Sequence, residues 1–122
     1  MSPELQAKLM AAYPDLFGGK ADNTPYALFG IECGDGWYAI LDELCAAITA
    51  LPGPLKPKVM QIKEKFGGLR FYLNGYSPSI SPLVDAAERK SERTCEQCGK
   101  PGSRRDNGWV ATLCDEHAKE RP

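Results

Sequence analysis

The chain has 122 residues, of which 43% are hydrophobic and 25% charged, and its formal net charge is −1. These values are typical of one globular domain. No apolar run approaches the roughly 18 residues of a membrane span. Residues 1–6 also lack the basic and apolar parts of a secretory signal, so we expect neither a span nor a signal.

The charges are distributed unevenly along the chain. Residues 1–50 hold two lysines and seven acidic residues, whereas residues 51–122 hold thirteen basic and nine acidic residues. A protein that binds nucleic acid mainly by bulk charge is usually clearly basic, and this one is not. Its C-terminal half can still present a basic face.

Two helices are predicted in the first half of the chain. The first begins with the capping pair Ser2-Pro3, and a loop is expected at residues 15–25. Residues 26–33 are expected to be extended, with Asp35 as the N-cap of the second helix. Helical spacing predicts that the inward face of this second helix consists of Trp37, Ile40, Leu41, Leu44, Cys45 and Ile48.

Residues 58–74 are predicted to form a β-hairpin with Gly67-Gly68 as its turn. On the first arm, one face is expected to carry Met60, Ile62 and Phe66, and the other Gln61, Lys63 and Lys65. On the second arm, the inward residues are Leu69, Phe71 and Leu73, opposite Arg70 and Tyr72. A third helix is predicted from about residue 79 to about Arg93.

The most specific motif lies near the C-terminus. Cys95 and Cys98 are separated by two residues, and fifteen residues later Cys114 and His117 repeat that spacing. Three thiolates and one imidazole suit Zn²⁺ better than Mg²⁺ or Ca²⁺. Because four protein ligands leave no position for a reactive water, the zinc site is predicted to be structural rather than catalytic. A redox-active CxxC pair is the weaker interpretation.

The segment between the ligand pairs contains turn signals. Gly99 follows the first pair as in a zinc knuckle, and residues 106–108 (Asp-Asn-Gly) predict a hairpin turn. A knuckle, a hairpin and a helix that carries the second pair resemble a treble-clef zinc finger. HNH nucleases that use this arrangement need a further histidine, but His117 is the only one in the chain. We therefore do not expect a nuclease.

The outward hairpin face is the candidate partner surface. It combines cations with an aromatic ring, in Lys63, Lys65, Arg70 and Tyr72. Such a face can be simply solvated, can bind a protein through its Arg and Tyr, or can bind single-stranded nucleic acid. Arg104 and Arg105, with Lys100, either offset the negative charge of the zinc site or extend this surface to phosphate. Trp109 is interpreted either as packing over the finger or as an exposed anchor.

Cys33 is a candidate nucleophile, because it precedes a predicted helix whose N-terminus would lower its pKa. A nucleophilic thiol needs an adjacent base, and no histidine is free, so this function is not favoured. Cys45 is predicted to be a core residue. Gly30, Gly34 and Gly36 do not have phosphate-loop spacing and are interpreted as turn positions with positive φ.

Four segments together resemble small uncharacterised proteins encoded by bacteriophages and prophages: GDGWY at 34–38, QIKEKFGGLRFY at 61–72, CEQCGKPG at 95–102, and GW with TLCD between 108 and 115. The resemblance implies a mobile-element accessory protein in a bacterial cytoplasm, and it implies no particular activity. An odd cysteine count, with three of the five cysteines in the metal motif, is consistent with a reducing compartment.

The sequence thus predicts an α+β fold, in which helices pack on a short antiparallel sheet and a treble-clef-like zinc finger follows. We expect residues 1–93 to form the core and residues 94–122 to form a zinc-stabilised subdomain. The predicted function is non-enzymatic binding of a host macromolecule, first a protein, with inhibition of a host or defence component as one form of it. Nucleic-acid binding through the hairpin face is the alternative, and an enzyme using Cys33 is the third interpretation.

Overall fold

Helices and two small sheets alternate along the chain. The computed structural model describes residues 1–18, 26, 29–53 and 57–121. In order, the elements are α1 (Pro3–Ala12), α2 (Pro14–Phe17), β1 (Ile31–Glu32), a 3₁₀ turn (Asp35–Trp37), α3 (Tyr38–Ala50), β2 (Val59–Lys65), β3 (Gly68–Leu73), α4 (Ser81–Ser91), β4 (Ser103–Arg105), β5 (Ala111–Leu113) and α5 (Asp115–Lys119). The predicted α+β class is confirmed.

The two long N-terminal helices begin and pack for reasons visible in the sequence. Ser2 caps α1, since its hydroxyl accepts a 3.3 Å hydrogen bond from the Leu5 N–H, and Pro3 occupies the first helical position as predicted. The predicted inward residues of α3 are all buried, with Trp37 in the preceding 3₁₀ turn. Helical spacing therefore identified the core face of α3 correctly.

The main sheet is mixed, whereas an antiparallel sheet was predicted. Its strand order is β1-β2-β3, and β2 and β3 form the predicted antiparallel hairpin. Strand β1 runs parallel to β2, with Ile31 opposite Ile62. The parallel direction follows from the connection between the strands. Helix α3 lies between β1 and β2 in the chain, and it carries the chain back to the end of the sheet at which β1 begins.

The hairpin turn lies one residue earlier than predicted. Lys65 pairs with Gly68, so the two loop residues are Phe66 and Gly67, with φ values of 53° and 84°. Positive φ at both positions is the backbone of a type I′ turn. Phe66 consequently leaves the inward face on which it was placed, and a register shift between Val59 and Gln61 makes Val59 the buried residue at the start of β2.

Three local predictions near the N-terminus were wrong. Residues 15–17, predicted as loop, belong to the helical turn α2, while residues 19–25 lie outside the described part of the chain. Tyr26 is helical rather than extended, and its carbonyl accepts from the Gly30 N–H at 2.8 Å. Asp35 does not cap α3, because its carboxylate accepts from the Ser2 N–H at 2.7 Å.

The outer edge of β3 is hydrogen-bonded to side chains. Its N–H groups at Leu69, Phe71 and Leu73 donate to Ser91 Oγ at 2.9 Å, Glu88 Oε2 at 3.1 Å and Tyr76 Oη at 3.0 Å respectively. Helix α4 supplies the first two acceptors and packs on both β3 and α3. These side chains thus accept the hydrogen bonds of the β3 edge N–H groups, which would otherwise be free to pair with another strand.

Two separate hydrophobic clusters lie among the described residues. The larger contains nineteen buried residues from α1 to α4, including Trp37, Leu41 and Phe71. The smaller contains four, Cys95, Ala111, Leu113 and Cys114, two of which are sulfur donors of the candidate metal site.

Candidate metal centre

The first ligand pair lies in a tight turn between α4 and β4. Gly99 has a φ of 80°, and its N–H donates to the Cys95 carbonyl at 2.9 Å. The Cys95 N–H in turn donates to the Lys100 carbonyl at 2.8 Å. These bonds fold residues 95–100 into the predicted knuckle, with glycine at the left-handed position that other residues rarely adopt.

The second pair spans the start of α5. Cys114 is the N-cap residue, and its Sγ accepts from the His117 N–H at 3.5 Å. Residues three apart on a helix lie on one face, so the thiol and the imidazole point to the same side. The predicted placement of this pair on a short C-terminal helix is confirmed.

The structure brings all four predicted ligand atoms together, within 4.8 Å of one another. Cys98 Sγ lies 3.7 Å from Cys114 Sγ, and Cys95 Sγ lies 3.6 Å from His117 Nδ1. Tetrahedral zinc with ordinary bond lengths separates two sulfurs by about 3.8 Å, and a sulfur and a nitrogen by about 3.5 Å. Cys114 Sγ and His117 Nδ1 are slightly closer, at 3.2 Å. The group can hold a metal ion, and its donor set is consistent with zinc.

The protein surroundings favour a thiolate at the centre of this group. Burial raises the pKa of Cys95, but backbone N–H groups of Cys114, Cys98 and Gln97 lower it to about 6. The pKa of Cys114 is lowered mainly by the N–H of His117. Because a metal binds the deprotonated thiol, these N–H groups favour metal binding at Cys95 and Cys114.

The loop at residues 34–37 holds the knuckle, a contact that sequence reasoning missed. The Gly36 N–H donates to the Glu96 carbonyl at 2.7 Å, and the Gly34 N–H donates to the Glu96 carboxylate at 2.9 Å. Trp37 Nε1 donates to the Thr94 carbonyl at 2.9 Å. The knuckle is therefore attached to the main core on both sides of Cys95.

The predicted positive φ at Gly34 and Gly36 is wrong, and these two glycines instead allow the backbone of the knuckle to approach closely. Gly34 has a φ of −77°, and a Cβ there would overlap the Glu96 carbonyl oxygen. A Cβ on Gly36 would overlap the carbonyl oxygen of Cys95. Of the three glycines, only Gly30 has the expected positive φ, at 71°. The GDGW segment was the available signal, but spacing alone did not reveal its partner.

The tip of the β2–β3 hairpin contacts the other side of the metal region. Thr112 is buried in β5, and its hydroxyl donates to the Gly67 carbonyl at 2.5 Å. A Cβ on Gly67 would lie 3.3 Å from Val110 Cγ1. The C-terminal region is thus held between the 34–37 loop and the hairpin tip.

The hairpin residues of the predicted partner surface share one face of the sheet. Lys63 is directly opposite Arg70, and Tyr72 is opposite Gln61. Lys65 is exposed further along the same strand face, toward the tip. The four predicted residues are therefore neighbours, with two like charges facing each other across the hairpin.

The two arginines near the metal group differ in their surroundings. Arg105 forms an ion pair with Asp115 at 2.8 Å and donates to the Leu113 carbonyl, so it is a structural residue. Arg104 is exposed and lies opposite Thr112 in the β4–β5 pair. Of the two, only Arg104 offers an unpaired charge to a partner within the described part of the chain.

Neither cysteine outside the motif has the properties of a nucleophile. Burial raises the pKa of Cys33 to about 12, contrary to the predicted lowering by a helix terminus. Burial likewise raises the pKa of Cys45 to about 12, in agreement with its predicted core position. Both thiols remain protonated at neutral pH.

Comparison with family models, with curated proteins and with solved structures gives no match. The resemblance to phage-encoded proteins therefore remains a prediction from the residue pattern. Within the described residues, no helix has the length and apolar character needed to cross a membrane.

Proposed function

We propose that this protein is a non-enzymatic binding protein whose C-terminal region is stabilised by a structural zinc ion. The observation that carries the proposal is the ligand group, in which Cys95, Cys98, Cys114 and His117 converge within 4.8 Å. Four such donors complete a tetrahedral zinc shell and leave no position for substrate. When bound, the ion would cross-link the knuckle and α5.

The arrangement of elements around this group supports a treble-clef-like finger. A knuckle bears the first pair, the β4–β5 hairpin follows, and α5 bears the second pair. We propose that residues 94–122 form this zinc-stabilised subdomain on a core of residues 1–93. The protonated state of Cys33 supports the absence of thiol catalysis.

The proposed partner is a host protein in a bacterial cytoplasm, bound by a mobile-element accessory protein. The outer sheet face formed by Lys63, Arg70 and Tyr72 supports a protein partner, because Arg and Tyr are frequent interface anchors. The phage setting rests on the residue pattern of the four segments. Inhibition of a host or defence component is the form of action that this setting suggests.

The first experiment measures metal content and partner binding on the same preparation. Native mass spectrometry should show one zinc ion per chain, and co-purification from a bacterial host should give a partner at constant stoichiometry. Arg70→Glu should abolish co-purification, whereas Arg89→Glu, a charge-matched change on α4, should not. A metal-free native protein would refute the zinc site, and equal recovery with Arg70→Glu would refute the proposed surface.

Nucleic-acid binding is the second candidate function. The observation that favours it is a pair of exposed aromatic rings beside unpaired cations at the hairpin tip, outside the sheet face considered above.

A further inference from the structure

Two exposed aromatic side chains lie at the contact between the hairpin tip and the C-terminal region. Phe66 is 65% exposed and Trp109 is 68% exposed. Their chain neighbours touch, since a Cβ on Gly67 would lie 3.3 Å from Val110 Cγ1. Because consecutive Cα atoms are about 3.8 Å apart, the two aromatic residues lie within roughly 15 Å of each other.

Each ring has a cation beside it. Lys65 Nζ lies 5.7 Å from the centre of the Phe66 ring, and the Arg121 guanidinium lies 4.8 Å from the Trp109 ring. Arg104 is exposed on β4, opposite Thr112, whose hydroxyl donates to the Gly67 carbonyl at the hairpin tip. We call Lys65, Phe66, Arg104, Trp109 and Arg121 the tip patch.

The positive charges of the tip patch are not neutralised within the described part of the protein. The ion pairs found there join Lys90 to Glu43 and Arg105 to Asp115, and none includes Lys65, Arg104 or Arg121. The nearby carboxylate of Glu64 accepts the Gly67 N–H at 2.7 Å instead. Asp106 is the acidic residue of the adjoining loop. The patch therefore complements an anionic partner.

Phe66 has an unfavourable backbone conformation and a side chain outside the core. A φ of 53° is rare for a bulky residue, and Asn is the usual residue at this position of a type I′ turn. The ring is exposed, so burial does not compensate for the strain. Backbone strain at an exposed aromatic residue is more typical of a functional position than of a stabilising one.

We propose that the tip patch binds single-stranded nucleic acid. Unpaired bases would stack on Phe66 and Trp109, while Lys65 and Arg104 neutralise the adjacent phosphates. Arg121 donates to the Trp109 carbonyl through Nη2, has a buried Nη1 and lies over the Trp109 ring, so it supports that ring. A single strand is favoured over a duplex because its bases have free faces, whereas those of a duplex are already stacked. The patch shares Lys65 with the predicted partner face but contains none of Lys63, Arg70 and Tyr72, so this inference does not depend on the outcome of the Arg70→Glu experiment.

The test is a titration of the zinc-loaded full chain with fluorescein-labelled oligo-dT and oligo-U of fifteen nucleotides. Anisotropy should report saturable binding, together with quenching of Trp109 fluorescence as a base stacks on it. Neutralisation of two phosphates predicts that affinity falls about 7-fold between 50 and 200 mM salt.

Three variants locate the binding. Trp109→Ala should weaken binding by about 5- to 100-fold, the range expected for loss of one stacked base. Phe66→Asn should weaken it similarly while raising the midpoint of urea denaturation, so that misfolding cannot explain the loss. Phe29→Ala is the matched control, because Phe29 is 66% exposed and precedes β1, at the sheet end away from the tip.

The outcomes are distinct. No binding of either oligonucleotide at micromolar protein would overturn the proposal, as would binding that Phe66→Asn and Trp109→Ala leave unchanged. A protein partner lost on Trp109→Ala, with no oligonucleotide bound, would assign the patch to a protein interface and also overturn it. If only the Arg70→Glu experiment gave the contrary result, the protein-binding proposal would be refuted and the proposal for the tip patch would stand.

Discussion

Residues 1–91 and residues 94–121 are stabilised by different physical means. Among the described residues, the first region buries nineteen side chains in one cluster, and the second buries four, two of them thiols. Four buried apolar side chains, with the polar Thr112, are too few to balance the conformational entropy of so many residues. In the second region a metal ion would replace the missing core, as in other small metal-stabilised units.

Each hydrogen bond between the regions uses a backbone group on at least one side. Glu96 accepts from Gly34 and Gly36, Trp37 donates to Thr94, and Thr112 donates to Gly67. The backbone at Gly34 and Gly36 lies so close to residues 95–96 that a Cβ at either glycine would overlap a carbonyl oxygen. The comparison shows that a chain segment can be positioned by a well-packed core without belonging to its hydrophobic cluster.

Metal removal gives the largest expected difference between the regions. Chelation or Cys95→Ser should unfold residues 94–121 at a cost on the order of 10 kcal/mol, while the cluster around Trp37 keeps its structure. Hydrogen exchange with mass spectrometry should show lost protection after residue 94 and retained protection in α3 and β3. Cys33→Ala, at a cysteine outside the ligand group, is the control. Uniform loss of protection would show that the two regions fold as one unit.

A matched pair of leucine truncations compares the two clusters directly. Leu41→Ala in the large cluster should cost about 3–5 kcal/mol, because many neighbours surround the resulting cavity. Leu113→Ala in the zinc-loaded protein should cost about 2 kcal/mol, at the low end for this change, since the small cluster has few neighbours. Urea denaturation measures both. A larger effect at Leu113 would mean that apolar packing, rather than metal, stabilises the C-terminal region.

The contact between the regions can be broken with a single methyl group. Gly36→Ala should destabilise the protein by about 1–3 kcal/mol, because the new Cβ would overlap the Cys95 carbonyl. Gly75→Ala is the matched control, since no atom lies within 4 Å of a Cβ there. Thermal denaturation of both variants gives the comparison. Equal stability of the two variants would refute the close approach.

The smallest expected effect is a pH dependence confined to the first region. Burial raises the pKa of Glu88, while its hydrogen bond from Phe71 and the charge of Arg70 lower it, and Asp85 and Glu92 raise it. The pKa of Glu88 in the folded state is above its ordinary value of 4.5. Protonation of Glu88 therefore makes its full contribution to the free energy of unfolding below pH 4.5. It is lost as pH rises through the folded-state pKa.

Glu88→Gln keeps an acceptor for Phe71 and removes this titration. Urea midpoints measured at several pH values from 4 to 7 should therefore vary less in the variant than in the wild type. Glu43→Gln, on exposed α3 surface, is the control and should leave the slope unchanged. An identical pH profile for Glu88→Gln would show that Glu88 does not titrate in this window.

The periodic parts of the fold could be predicted because local spacing and packing agree. The inward face of α3, the inward residues of β3 and the cap at Ser2 all follow from residue type and period. The prediction of an antiparallel sheet does not hold for β1, which is parallel to β2, because strand pairing depends on how distant segments meet. The turn at Phe66 was misplaced because Gly67-Gly68 is the better local turn signal, while the register of the whole hairpin decides which residues form the loop.

For the candidate site, the sequence predicted the four neighbouring donor residues but not the contacts that hold them against the core. Cys95, Cys98, Cys114 and His117 were identified correctly as neighbours because ligand spacing is a local property of a knuckle and a helix turn. The contacts of Glu96 with the 34–37 loop span more than sixty residues of sequence. A local sequence pattern cannot predict contacts between residues so far apart in the chain. For the same reason it could not predict that Phe66 and Trp109 lie near the same contact between the two regions.

The sequence by itself determined the helices, the hairpin and the four ligands of the metal group, because each depends on residues within a few positions of one another. Only the tertiary structure decided where that group is attached to the core. It also decided that Phe66 and Trp109 lie near the contact between the hairpin tip and the C-terminal region. Those features depend on backbone approach between distant segments, at glycines whose value is the absence of a side chain. The Cys3His motif thus identifies a group that can hold a metal ion in the C-terminal region, and the folded chain shows which surfaces that region presents.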